Sequence, residues 1–152
     1  MSSTLPEVRV HHLGISVPDI DAAINWYSKM LGFELESRTY IALIPAQVAF
    51  IRRADLRLEL LQVEGAAQLP AERREPNLDV RVHGNKHLCL AVKDLAVTIA
   101  GLRSRGADIV FEKTVEGVPM AFIRDNSGNL LELMQFPQLW QPSSLYSQES
   151  NQ

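Results

Sequence analysis

The chain begins with alternation. Val8 and Val10 precede Leu13, Ile15 and Val17, with polar or small residues between them. A period of two predicts a strand over 8–17. The period then lengthens. Asp19 or Asp21 can cap a helix that runs through Lys29, with Ala22, Ala23, Trp26, Tyr27 and Met30 as its packing stripe. Gly32 ends it, as a glycine past a helix end does. Strand patterns follow at 33–37, 47–52 and 56–62. The same order then recurs: a strand at 86–92, a helix capped by Asp94 through Ser104 with Gly106 at its end, and strands at 108–112, 118–124 and 130–135. Each half therefore reads β-α-β-β-β.

The halves also share letters. His12-Leu13-Gly14-Ile15-Ser16-Val17-Pro18-Asp19-Ile20 matches His87-Leu88-Cys89-Leu90-Ala91-Val92-Lys93-Asp94-Leu95, position by position, as H-L-x-[IL]-x-V-x-D-[IL]. Leu58-Glu59-Leu60-Leu61 matches Leu131-Glu132-Leu133-Met134, and the tetrapeptide AFIR occurs at Ala49–Arg52 and again at Ala121–Arg124. Self-similarity at a nearly fixed offset is the mark of a duplicated unit. The predicted fold class is α+β, with two tandem βαβββ modules. The single domain is expected over 8–137, with modules 8–63 and 85–136. Between them, 64–84 holds Pro70, Pro76 and few apolar residues, so it reads as a linker or a flap over a site. The tail, 138–152, is polar apart from Leu139, Trp140, Leu145 and Tyr146. It is a frayed end or an arm that docks Trp140.

Bulk properties narrow the picture. With 152 residues, one domain with a real core is possible. One cysteine excludes an intrachain disulfide. The start, MSSTLPEVRV, lacks the basic and apolar regions of a secretory signal, and no apolar run approaches the roughly 18 residues that span a bilayer. A soluble, cytoplasmic protein without membrane partners is expected. The net charge of −3 comes without a basic stripe carrying aromatics, which argues against nucleic acid. Arginines cluster at Arg52-Arg53 and Arg73-Arg74, but acidic neighbours such as Asp55, Glu72 and Glu75 make these solvated faces.

Alternation also sorts side chains by face. Leu13, Ile15 and Val17 share one face of the first strand; His12, Gly14 and Ser16 share the other. Leu88, Leu90 and Val92 oppose His87, Cys89 and Ala91 in the same way. Leu58 and Leu60 oppose Arg57, Glu59 and Leu61. Leu131 and Leu133 oppose Leu130, Glu132 and Met134. If the helices cover the first faces, the second form a surface holding His12, Glu59, His87 and Glu132. His11 falls on the helix side, and His83 sits in the linker.

Glu59 and Glu132 are each flanked by leucine. A carboxylate in an apolar setting is costly unless paired, and two near one another are worse. A divalent cation relieves both, and two imidazoles with two carboxylates suit a borderline metal. Taken singly, a histidine beside glycine is usually structural, and the glutamate of LELL is often the solvent face of an edge strand. Four such residues at matched places favour metal ligation.

These stretches carry a resemblance. HHLGISVPDIDAAINWYSKMLGF, LRLELLQ, KHLCLAVKDL and IRDNSGNLLELMQFP resemble the vicinal oxygen chelate superfamily, which includes glyoxalase I, methylmalonyl-CoA epimerase, extradiol dioxygenases and bleomycin resistance proteins. The resemblance implies that the two modules form a curved mixed sheet around a metal-lined cleft, in which His12, Glu59, His87 and Glu132 hold one divalent metal ion (Ni, Co, Zn, Mn or Fe). Glu59 at the second position implies redox-neutral lyase or isomerase chemistry of the glyoxalase or epimerase kind. Glutathione-dependent members carry Arg and Asn where this chain has Ser16 and Val63, so glutathione is not the expected co-substrate.

The implied reaction passes through a metal-chelated enolate of a small oxygenated substrate. Glu132 is the implied base, with Glu59 its partner on the opposite side. Gly14, Ser16, Cys89 and Ala91 are small enough to leave room for that substrate. Met134 and Leu61 offer an apolar wall, and Arg57 could meet a carboxylate or phosphate or simply line the rim. Cys89 is a pocket filler or a soft extra ligand. A homodimer is the expected assembly. The alternatives are an Fe(II)/Mn(II) extradiol dioxygenase and a non-catalytic small-molecule binder.

Overall fold

Two aspartates start two helices in the same way. The computed structural model describes residues 6–142. Asp19 accepts the Ala22 N–H at 2.9 Å and Asp94 accepts the Val97 N–H at 3.0 Å, satisfying donors that a helix start leaves orphaned. The elements of the first unit are β1 (Leu13–Ser16), α1 (Ile20–Leu31), β2 (Glu34–Ile41), β3 (Ala46–Arg53) and β4 (Leu56–Val63). Those of the second are α2 (Pro76–Asp79), β5 (Leu88–Val92), α3 (Leu95–Ser104), β6 (Asp108–Val115), β7 (Val118–Arg124) and β8 (Leu130–Gln135). The chain divides into two compact units after Gln68.

Each unit closes its own four-stranded mixed sheet, in the order β1-β4-β3-β2 and β5-β8-β7-β6. The first strand of each is parallel to the last and the remaining pairs are antiparallel. The leucine faces are the buried ones: Leu58, Leu60, Leu131 and Leu133 are at most 1% exposed. The α1 stripe is Ile20, Ala23, Tyr27 and Leu31, which starts before and ends after the expected Ala22–Met30 set. Trp26 and Met30 flank it, half-buried. Gly32 ends α1 with φ 69°, a left-handed conformation that glycine adopts without strain.

The first strand is shorter than the alternation predicts. Val8 and Val10 are 84% and 93% exposed. The register pairs Leu13 with Leu58, so residues before His11 fall beyond the start of β4 and have no strand to join. β5 likewise begins at Leu88 rather than Lys86. β2 and β6 run longer than predicted, because their hairpins stay paired to Ile41–Ala46 and Val115–Val118. The second of these turns is two residues long, Glu116 and Gly117, both at positive φ as such a tight hairpin requires.

The stretch expected as a linker is ordered from Leu69 onward as part of the second unit. A 3-10 turn spans Ala71–Arg74 and α2 follows. Asp79 is only 1% exposed, with Arg73 Nε at 2.5 Å and Lys86 Nζ at 3.2 Å. Nothing in this polar stretch marks Asp79 as buried from sequence. At the other end Leu139 and Trp140, in a 3-10 turn, are exposed. Leu145 and Tyr146 lie outside the described residues. Among the described residues, no helix is long and apolar enough to cross a membrane.

Candidate functional site

The site residues stand in two matched pairs, one in each unit. In the first, Glu59 lies mid-β4, opposite Gly14 on β1 and Phe50 on β3. His12, just before β1, places Nε2 3.1 Å from Glu59 Oε2. In the second, Glu132 lies mid-β8, opposite Cys89 on β5 and Phe122 on β7. His87, just before β5, places Nε2 2.9 Å from Glu132 Oε2. The side chains are 33% and 21% exposed in the first pair and 23% and 16% in the second. Each carboxylate is thus partly withdrawn from water and compensated by one imidazole.

Both histidines also meet a phenylalanine. His12 and Phe50 are edge-to-face at 5.2 Å, and His87 and Phe122 at 4.8 Å. These phenylalanines belong to the two AFIR segments. They stand beside both His–Glu pairs, and the repeated tetrapeptide was the signal that could have named them. A second matched pair also lay within the repeats: Gln62 accepts the Ile20 N–H and Gln135 the Leu95 N–H, both at 2.8 Å. These side chains tie the glutamate-bearing strand of each unit to its helix start.

The remaining predicted residues differ in their surroundings. Ser16 is exposed at the end of β1, in register with Leu61. Met134 packs, half-buried, with Met120, Phe122 and Leu130. Arg57 makes a two-pronged contact with Glu36, Nε to Oε2 at 2.6 Å and Nη2 to Oε1 at 2.8 Å. That hydrogen bond, foremost, holds the Glu36 carboxyl below its usual range and raises the Arg57 guanidinium. A substrate anion at Arg57 would have to compete with Glu36. His11 does not face the helix. It is exposed, with Nδ1 2.7 Å from His12 Nδ1, because alternation fails where the chain is not yet a strand. Cys89 is exposed as a residue, but partial burial of its thiol, foremost, pushes it up to about 11, and the nearby Glu132 carboxylate adds to the shift.

The donor set fits a divalent cation. Zinc-type bonds to nitrogen and oxygen are about 2.1 Å, so two ligands at a right angle stand about 3 Å apart. Both pairs have that spacing, which is equally that of a direct imidazole–carboxylate hydrogen bond. Among the described residues, no group of three or more His, Cys, Asp or Glu is gathered to hold a metal. Each unit brings one histidine and one glutamate together.

Comparison with known proteins gives a consistent result. The family model for the Glyoxalase/Bleomycin resistance protein/Dioxygenase superfamily matches residues 9–133. Mitochondrial methylmalonyl-CoA epimerase of Bos taurus is 26% identical over 132 residues, covering 84% of this chain and 74% of that one. Ethylmalonyl-CoA/methylmalonyl-CoA epimerase of Cereibacter sphaeroides is 29% identical over 133 residues, covering 84% and 97%. The crystal structure of the glyoxalase family protein from Enterococcus faecalis has the same fold, with a TM-score of 0.72 and 23% identity over 83% of this chain and 96% of that one.

Proposed function

The chain belongs to the Glyoxalase/Bleomycin resistance protein/Dioxygenase superfamily, and from that premise we propose that it is a divalent-metal-dependent lyase or isomerase of the epimerase kind. Its ligands are His12, Glu59, His87 and Glu132. The observation that carries this reading is the matched pair: His12 with Glu59 at 3.1 Å and His87 with Glu132 at 2.9 Å, at equivalent registers of two like sheets. The epimerase names of the relatives support the isomerase direction. Ser16 and Val63, where glutathione-dependent members carry Arg and Asn, weigh against a glutathione adduct as substrate.

A bound divalent cation supplies Lewis acidity, which stabilises negative charge on a carbonyl oxygen when the adjacent carbon loses its proton. The chain's own residues do the rest. Glu132 takes the proton from that carbon, and Glu59 returns one to the opposite side, which inverts the centre. Glu132 is the better placed to be desolvated, since its side chain is the less exposed of the two. His87 and His12 hold these carboxylates in place while they are charged. Met134, Met120 and Phe122 form an apolar wall beside Glu132 that excludes water from its strand. The substrate is a small acyl compound with a carbon acid between oxygenated groups.

The test is deuterium exchange at the carbon next to the carbonyl of a 2-substituted malonyl thioester, without oxygen, with added Co(II) or Mn(II). Exchange that a chelator abolishes upholds the reading. Absence of exchange with every divalent metal overturns it, and oxygen uptake with catechols under Fe(II) would replace it with ring cleavage. Light scattering of the full chain decides the expected homodimer. It also bears on whether the two ligand pairs come from one chain or from two copies.

A further inference from the structure

The first unit carries a row of polar contacts behind its His–Glu pair. The register of β2 on β3 slips between Leu35 and Ser37, a bulge that holds Glu36. Bulges re-aim side chains, and Glu36 meets Arg57 of β4, two strands away, at 2.6 and 2.8 Å. Arg57 Nη1 stands 3.4 Å from His11 Nε2. His11 Nδ1 stands 2.7 Å from His12 Nδ1, and His12 Nε2 stands 3.1 Å from Glu59 Oε2. Five side chains thus form one row, from Glu36 to Glu59. In the second unit the residue before His87 is Lys86. Its ammonium is bonded to Asp79, 2.7 Å from the carbonyl and 3.2 Å from the carboxylate.

Hydrogen-bond chemistry fixes the direction of the row. Two imidazole nitrogens at 2.7 Å form a hydrogen bond only when one carries a proton and the other does not. Both ends of the row name the carrier. A guanidinium only donates, so Arg57 makes His11 Nε2 an acceptor. A neutral imidazole has one N–H, so the proton of His11 is on Nδ1. From the other end, an ionised carboxylate only accepts, so Glu59 calls for a proton on His12 Nε2. That leaves His12 Nδ1 as an acceptor. The two deductions meet at the His11–His12 contact and agree: His11 Nδ1–H donates to His12 Nδ1.

Ligation at His12 needs the reverse. Nε2 must then offer its lone pair, with the proton on Nδ1, and ligating histidines donate that other N–H to a fixed acceptor. The acceptor at hand is His11 Nδ1. Accepting there moves the His11 proton to Nε2, where it faces the Arg57 donor. We propose that His11 is a positioning residue, which relays the Arg57–Glu36 contact to His12 and so sets which nitrogen of His12 is protonated. The metal-free chain satisfies every link of the row, and ligation at His12 reverses it against Arg57. The relay rests on hydrogen-bond geometry; its effect on metal affinity rests on the function proposed above.

The test reads the imidazole nitrogen shifts of the full chain by NMR at about pH 8.5, well above an ordinary imidazole, before and after addition of Zn(II). Metal-free wild type should show His11 protonated on Nδ1 and His12 on Nε2. A free histidine favours Nε2–H, so the His11 form is the distinctive signal. Zn(II) should move the His11 proton to Nε2, although His11 is not a ligand. Arg57→Met should lower the Nδ1–H share of His11 and tighten Zn(II) binding roughly tenfold, the scale of changes just outside a metal's ligands. Arg52→Met is the charge control: Arg52 is the cross-strand neighbour of Arg57, and its loss should leave both readouts nearly unchanged. In a His11→Phe background, Arg57→Met should no longer alter affinity. His11 protonated on Nε2 in metal-free wild type, or equal gains from Arg57→Met and Arg52→Met, overturns the relay. Wild type that binds no Zn(II) but shows the stated tautomers upholds the relay and overturns the proposed function instead.

Discussion

Phe122 is the cross-strand partner of Glu132, and its ring meets that of His87 edge-on at 4.8 Å. Phe50 stands in the same relation to Glu59 and His12. Each imidazole is therefore held twice, by a carboxylate at Nε2 and by a ring beside it. Such ring pairs contribute about 0.5–1.5 kcal/mol beyond burial. Phe122→Leu should therefore lower the thermal midpoint by roughly 2–6 °C. It should also weaken Co(II) binding roughly tenfold, as loss of a ligand's support does. Phe50, less buried than Phe122, should cost less when changed. Calorimetry and metal titration check both, and unchanged metal affinity in both variants would reduce the phenylalanines to packing.

The ligand assignment is tested by elemental analysis. Single alanine variants at His12, Glu59, His87 and Glu132 should each lose most bound metal. Glu59 is the discriminating member, because ring-cleaving relatives are expected to need only the other three. If Glu59→Ala keeps full metal content, the isomerase direction loses its basis. Glu132→Gln should keep the fold while deuterium exchange falls roughly 100- to 10,000-fold, the range of general acid–base catalysis.

Much of this was legible because duplication checks itself. The matched HLxIxVxDI and LEL segments give the register of β1 on β4 and β5 on β8, and hence the two His–Glu pairs. Burial alternates as the leucines predict. What the sequence hid were relations set by tertiary ends and by polar burial. Strand β4 starts opposite His11, so Val8 and Val10 had nothing to pair with, and His11 lies ahead of the first paired residue, Leu13. Arg57 looked available until Glu36, on β2, met it across the sheet. Asp79 and Arg74 sit in a stretch whose composition reads as solvated, yet one is buried between two cations and the other is half-buried, its Nε–H without an acceptor among the described residues.

Asp79 and Glu75 provide a controlled contrast. Both are acids of the 71–79 segment and both pair with arginine. Asp79 is 2% exposed at its side chain and Glu75 52%. Removing Asp79 takes a charged acceptor from Arg73 and Lys86, but both are partly exposed and keep backbone carbonyls, so the cost is about 1–3 kcal/mol. An exposed pair is worth about 0–1 kcal/mol. Asp79→Ala should thus lower the thermal midpoint by roughly 2–12 °C, and Glu75→Ala by a few degrees at most. Equal losses would mean that Asp79 is solvated in solution.

Cys89 gives a pH-dependent check on the setting of Glu132. Burial is the first cause that lifts its thiol to about 11, and the Glu132 carboxylate is the second. At pH 8 the thiolate population should be about 100-fold below that of a thiol titrating near 9. The greater basicity of that thiolate restores roughly tenfold in reactivity, so alkylation should be about tenfold slower than in a cysteine peptide. Glu132→Gln removes the charge but leaves the burial, so the rate should rise without reaching the peptide's. Stability carries the same sign. Between about pH 9 and 11 the unfolded thiol loses its proton while the folded one keeps it, so the native state should weaken as pH rises through that window and be indifferent to Cys89 below it. Iodoacetamide kinetics on metal-free protein measure the first effect. A rate matching the peptide's, or one untouched by Glu132→Gln, would show that the carboxylate does not bear on the thiol.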